Sequence, residues 1–143
     1  MRLEADGLSL SGHHVLIVED DETLNMVLAQ ILTELGACVA SFGNAEDALI
    51  GLLENHGACS LVIADHGVPG TLKGLEFLQM VAEKWPHIPT ILTSGYQLQP
   101  TGDAPPVTFL FKPWSVEELL SAIGQAIARD SIITPLGADQ PGG

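Results

Sequence analysis

Apolar residues along this chain switch repeatedly between two periods. Val15-Leu16-Ile17-Val18 is an unbroken apolar run rich in β-branched side chains, as a strand covered on both faces requires. From Thr23 the pattern changes: Leu24, Val27, Leu28, Ile31, Leu32 and Leu35 recur at helical spacing, and Gly36 is a natural stop. Ala37 to Phe42 predicts a second strand, and Asn44 caps a helix running through Ala48, Leu49, Leu52 and Leu53. Leu61 to Ala64 predicts a third strand, followed by the turn-rich Gly67-Val68-Pro69-Gly70. A helix from about Leu75 to Trp85 ends before Pro86. Thr90 to Thr93 and Val107 to Phe111 predict the last two strands. Ser115-Val116-Glu117-Glu118 is a capping box that opens a helix through Leu119, Leu120, Ile123 and Ile127.

Strands alternating with helical segments of this length predict an α/β fold with a parallel sheet and right-handed crossovers. One unit departs from the alternation. Between Ser94 and Val107 lie Gly95, Pro100, Gly102, Pro105 and Pro106, which suit a turn of helix and a loop, so the fourth helix is expected to be short or missing. Residues 1–12 are expected to form a flexible N-terminal tail, 13–129 one domain, and the Gly- and Pro-rich 130–143 a flexible C-terminal tail.

With 143 residues and 46% apolar composition the chain is large enough for a real core and argues against disorder. Five basic against eighteen acidic residues leave a formal charge of −13, which repels nucleic acid and anionic membrane and favours cations. Cys38 and Cys59 are too few for a disulfide framework and too isolated for a zinc site, and are expected to be small buried apolar residues. The acid-bearing start Met1-Arg2-Leu3-Glu4-Ala5-Asp6 does not read as a signal peptide. No apolar run approaches the roughly 20 residues of a membrane helix. A cytoplasmic setting is expected.

Chemistry gathers where strands give way to loops. Glu19-Asp20-Asp21 follows the first strand, Asp65 the third, and Lys112-Pro113 the fifth. Loops at the carboxyl ends of parallel strands converge on one crevice, so these side chains are expected to form an acidic pocket with a single cation beside it. Such a pocket suits a divalent metal and a phosphoryl group. Carboxylates that crowd together raise one another's pKa. Mg²⁺, which takes one or two carboxylates with water and phosphate oxygens, relieves that repulsion. Lys112 supplies a compact positive pole. Asp21 reads as the cap of the first helix, His66 as a loop residue, His13 and His14 as exposed tail, and Trp114 as packing at a helix start.

The order Val-Leu-Ile-Val-Glu-Asp-Asp, Leu-Val-Ile-Ala-Asp with Val-Pro-Gly and Gly-Leu-Glu-Phe-Leu, Pro-Thr-Ile-Leu-Thr-Ser-Gly-Tyr, then Phe-Lys-Pro-Trp resembles the receiver domain of two-component response regulators, over about residues 13–129. The resemblance implies a flavodoxin-like, doubly wound, five-stranded parallel sheet in the order 2-1-3-4-5. It implies that Asp65 accepts a phosphoryl group from a histidine kinase or histidine phosphotransfer protein. Asp20 is then a direct Mg²⁺ ligand, Glu19 its acidic neighbour, and Gly67 a ligand through its backbone carbonyl. Ser94, five residues after Pro89, matches the switch hydroxyl, leaving Thr93 an internal strand residue. Lys112 matches the phosphate-binding lysine and Phe109 the aromatic whose rotamer reports phosphorylation. The Lys112–Pro113 bond is implied to be cis. A hydrogen bond from Ser94 to the phosphorylated carboxylate, about 1.5–3 kcal/mol for a charged acceptor, suffices to bias a two-state loop.

Three features depart from the common pattern of that family. The loop from Pro69 to Gly74 is one residue longer than in many receivers. Tyr96 stands two residues after the switch position, where its ring is expected to shield the acyl phosphate and lengthen its lifetime. The 95–106 segment shortens the surface through which receivers commonly signal. The resulting expectation is a stand-alone receiver, not an enzyme, that signals to a downstream protein effector without direct contact with nucleic acid or membrane, or else a receiver excised from a longer chain. Residues before Val15 and after Arg129 are too few for an output domain. Two rivals are a degenerate receiver that binds without phosphorylation, and a metal-dependent aspartyl phosphohydrolase. The first is opposed by the full set Asp20, Asp65, Ser94 and Lys112. The second, in the haloacid dehalogenase pattern, needs an aspartate where Gly67 stands.

Overall fold

The computed structural model describes residues 8–95 and 107–133, with side chains described to Ile127. Strands β1 (His14–Val18), β2 (Cys38–Phe42), β3 (Leu61–Asp65), β4 (Thr90–Ser94) and β5 (Thr108–Phe111) are joined with helices α1 (Glu22–Glu34), α2 (Ala45–Glu54), α3 (Gly74–Lys84) and α4 (Val116–Ile133). All four strand pairings are parallel and the sheet order is β2-β1-β3-β4-β5, the flavodoxin-like arrangement. Among the described residues, no helix is long and apolar enough to cross a membrane.

Strand alternation sorts the core into two layers. Val15, Ile17, Leu61, Ile63, Ile91 and Leu110 pack with α1 and α4 on one face of the sheet. Leu16, Val18, Val62, Ala64 and Leu92 pack with α2 and α3 on the other. That is why β3 and β4 are buried along their whole length, and why β3 reads as a continuous apolar run up to Asp65. Helices α1, α2 and α4 start on side-chain caps. Asp21 accepts from the Leu24 N–H at 3.0 Å and Asn44 from the Asp47 N–H at 2.8 Å. Ser115 and Glu118 exchange the two bonds of a capping box at 3.0 and 2.9 Å.

Several expectations need correction. The segment before β1 does not behave as a free tail throughout. Leu10 is 1% exposed, Leu8 packs against the same cluster, and the Leu10 N–H donates to the Leu35 carbonyl at 2.8 Å. Burial of one apolar side chain and one backbone bond suffices to tie this stretch to the end of α1. His14 opens β1 instead of preceding it, though it stays exposed. At the other end, α4 continues to Ile133, beyond the expected limit at Arg129. Cys38 is exposed, because β2 is an edge strand; Cys59 is partly buried. Val27, assigned to the buried stripe of α1, is 41% exposed. It lines a groove with Leu24, Ile31, Pro113 and Trp114. The Lys112–Pro113 bond is cis, as the resemblance implies. The expectation of a short or missing fourth helix falls on residues outside those described.

Candidate functional site

Sheet geometry delivers the chemistry to one edge. Asp65 ends β3, Glu19 follows β1, Thr93 lies near the end of β4 and Lys112 follows β5. By alternation all four continue the series Val15-Ile17, Leu61-Ile63, Ile91 and Leu110 on the α1/α4 face. Side chains from four segments distant in sequence therefore meet.

The Asp65 carboxylate is buried and held by three donors. Lys112 Nζ lies 2.8 Å from Oδ1, the Thr93 hydroxyl donates to Oδ1 at 3.3 Å, and the Gly67 N–H donates to Oδ2 at 3.0 Å. Glu19 is 4% exposed. Its Oε1 accepts from Lys112 Nζ at 3.3 Å and its Oε2 from the Asp21 N–H at 3.1 Å. The Glu19 backbone is fixed as well, its N–H on the Phe42 carbonyl at 2.9 Å and its carbonyl on Asn25 Nδ2 at 2.9 Å. Asp20 stands exposed at the rim.

Burial is the largest influence on Glu19 and pushes its carboxyl above the ordinary 4.5, with repulsion from Asp65 adding to it. The Asp21 N–H and Lys112 pull the other way. Burial also works against the Lys112 ammonium, but its hydrogen bond to Asp65 and the charges of Asp65 and Glu19 outweigh it, leaving the group above 10.5. Lys112 therefore stays protonated, a fixed positive pole.

One carboxylate oxygen from each of Glu19, Asp20 and Asp65 lies within 4.8 Å of the others. This all-oxygen set of two buried carboxylates and one exposed one fits a hard divalent cation such as Mg²⁺. Gly74, at the start of α3, lets that helix approach β3. A Cβ there would sit 2.3 Å from the Asp65 carbonyl oxygen. Ser94 is 3% exposed at the end of β4. Phe109 is half-buried against the α2/α3 layer, its ring 6.1 Å from that of Phe111. Tyr96 lies outside the described residues.

Sequence reasoning missed the Thr93 hydroxyl. Thr93 is an internal strand residue as expected, and as the register partner of Asp65 it also bonds to it. The alternation that puts Asp65 and Ile63 on one face would have flagged it.

A family model described as response regulator receiver domain matches residues 15–124. Nodulation protein W of Bradyrhizobium diazoefficiens is 32% identical over 125 residues, 81% of this chain and 52% of that protein. Transcriptional regulatory protein PdtaR of Mycobacterium tuberculosis is 33% identical over 126 residues, 85% of this chain and 60% of that protein. The match to hydrogenase transcriptional regulatory protein HoxA of Cupriavidus necator spans 25% of that protein. The chain thus spans between a quarter and about three fifths of these curated relatives. The crystal structure of a response regulator receiver protein from Sinorhizobium medicae matches with a TM-score of 0.74, covering 85% of this chain and 99% of that one. At 22% identity that likeness speaks to the fold.

Proposed function

Because this chain belongs to the response regulator receiver domain family, we propose that it accepts a phosphoryl group on Asp65 and relays it as a signal. The donor is a histidine kinase or histidine phosphotransfer protein, and the output is contact with a downstream protein effector. The observation that carries this reading is the placement of Asp65. Its carboxylate is held by Lys112, Thr93 and the Gly67 N–H, and lies beside two further acids able to share a cation.

Phosphoryl transfer demands mainly position and charge neutralisation. One oxygen of Asp65 attacks phosphorus in line, the P–N bond to the donor imidazole breaks, and its electron pair stays on that nitrogen. Glu19, Asp20, Asp65 and the Gly67 carbonyl would hold Mg²⁺, which when bound neutralises charge on the phosphoryl oxygens. Lys112 bonds to Asp65 before transfer and is placed to follow the new oxygens after it. Ser94 serves as the switch hydroxyl, Phe109 as the aromatic that responds, and Tyr96 as the shield of the acyl phosphate. The chain promotes its own phosphorylation and dephosphorylation, and turns over no separate substrate. Relatives named as transcriptional regulators extend well past the matched part. For this chain the charge of −13 opposes direct contact with nucleic acid.

The test is incubation with a small phosphodonor and Mg²⁺, followed by mass measurement. Wild type should gain one labile phosphoryl group and Asp65→Asn none. An adduct on both proteins, or on neither, overturns the assignment.

A further inference from the structure

The loop from His66 to Lys73 joins the acceptor strand to α3 and carries Gly67. Its near end is set by the sheet. The His66 N–H donates to the Thr93 carbonyl at 2.9 Å, and the Gly67 N–H to Asp65 Oδ2 at 3.0 Å. Its middle is pinned by the fully buried Val68, whose carbonyl accepts from Lys73 Nζ at 3.0 Å. The far end is held by another element altogether. The Thr71 and Leu72 N–H groups both donate to Oε2 of Glu46, at 2.9 and 3.0 Å, across 25 and 26 positions of sequence. Gly70 has φ +99°, and a Cβ on it would lie 2.7 Å from Glu46 Oε1, so the turn lies directly on this carboxylate.

Glu46 is itself firmly placed. It sits in the first turn of α2, two residues after the cap Asn44 and between the buried Ala45 and Ala48. The Leu72 N–H is the leading cause that holds its carboxyl below the ordinary range, so it is an anion at neutral pH. We infer that Glu46 is a positioning residue for the phosphoacceptor pocket: by clamping Gly70, Thr71 and Leu72 it fixes the loop whose first residues present the Asp65 carboxylate and the Gly67 carbonyl. This rests on the receiver reading. A site held by ordered supports binds metal better than one whose supports fluctuate.

Both backbone bonds end on one oxygen, which makes the inference separable from charge. Glu46→Gln keeps an acceptor oxygen at the same reach. Glu46→Asp keeps the charge but withdraws the oxygen by one methylene, and Glu46→Ala removes it. The experiment measures, on the full chain, the calorimetric dissociation constant for Mg²⁺, the exchange of the Thr71 and Leu72 amides without metal, and the unfolding midpoint. Glu46→Asp and Glu46→Ala should weaken Mg²⁺ binding about tenfold and speed exchange at both amides, with Glu46→Gln within about twofold of wild type. Folded Glu46→Asp that binds Mg²⁺ as wild type does overturns the inference, as does Glu46→Gln that binds no better than Glu46→Ala. Should Glu46→Ala fail to fold, the Asp and Gln variants decide between themselves. Failure of the receiver reading looks different: the wild type itself then binds no Mg²⁺ and takes no phosphoryl group.

Discussion

Asp65 is oriented by donors from three segments, and each donor has a separable consequence. A hydrogen bond to a charged acceptor contributes about 1.5–3 kcal/mol. Removing the Thr93 hydroxyl, which donates to Oδ1 at 3.3 Å, loosens the Asp65 carboxylate while leaving Lys112 and the Gly67 N–H in place. Thr93→Val should therefore slow phosphorylation by a small phosphodonor roughly tenfold, and Thr93→Ser should restore most of it. Equal rates for Thr93→Val and wild type would show the hydroxyl to be passive. Glu46 gives a second residue-scale prediction. Its carboxyl is lowered first by the Leu72 N–H, with the Thr71 N–H and Lys73 helping. Asp47, Glu76 and Glu83 are the acids nearby, and desolvation is the influence that opposes the shift. A depressed folded value means that its stabilisation is present above the unfolded pKa and lost as pH falls through the folded one. Unfolding measured from roughly pH 6 to pH 3 should thus show wild type losing more stability than Glu46→Gln. Parallel curves would remove Glu46 from the acid response.

At the scale of elements, the two contrasting periods were readable because this fold encodes them cleanly. Runs such as Leu61 to Ala64 are apolar without interruption since both faces of a central strand are covered. The stripe of α1 recurs at helical spacing since only one face is buried, and the caps Asp21, Asn44 and Ser115 stand where backbone donors need them. The site acids were legible for a related reason, namely that parallel strands bring their carboxyl ends together. What escaped the sequence is pairing without period. Leu8 and Leu10 are two apolar residues in a polar, glycine-containing stretch, and nothing in the pattern announces that Leu10 fills the end of the α1/α4 layer. The contact between Glu46 and the loop beyond β3 is equally silent, being made by one carboxylate and two backbone groups. Two measurements address these elements. Leu10→Ala should cost about 2–5 kcal/mol in urea unfolding, the range for a large-to-small change in a packed core. A change below about 0.5 kcal/mol, as on a free surface, would return this stretch to a loose tail. Gly74→Ala should both destabilise the fold and impair phosphorylation, because the new methyl meets the Asp65 carbonyl oxygen and must displace α3 or the end of β3.

For the whole molecule, the net charge of −13 sets the background against which the acidic edge operates. General repulsion among surface carboxylates is screened by any salt, over a distance of about 10 Å at 0.1 M. The cluster of Glu19, Asp20 and Asp65 is different in kind, because two of its members are buried and one cation, Lys112, already serves both. Monovalent salt reaches such a site poorly, whereas a divalent ion with oxygen ligands neutralises it directly. Two contributions can then be separated with one variant. Without Mg²⁺, Asp20→Asn removes an exposed charge beside the buried Glu19 and Asp65, so the variant should be as stable as wild type or more stable, by about 1 kcal/mol or less. With Mg²⁺ at a hundredfold excess over its dissociation constant, ligand binding stabilises the wild type by about 2.7 kcal/mol. Asp20→Asn has lost a ligand and gains much less, so the order of stabilities inverts. Matched ionic strength from sodium chloride should produce no inversion, since screening treats both proteins alike. If denaturant midpoints of wild type and Asp20→Asn rise in parallel on adding Mg²⁺, the three acids are a solvated edge of the sheet and the ion is held elsewhere.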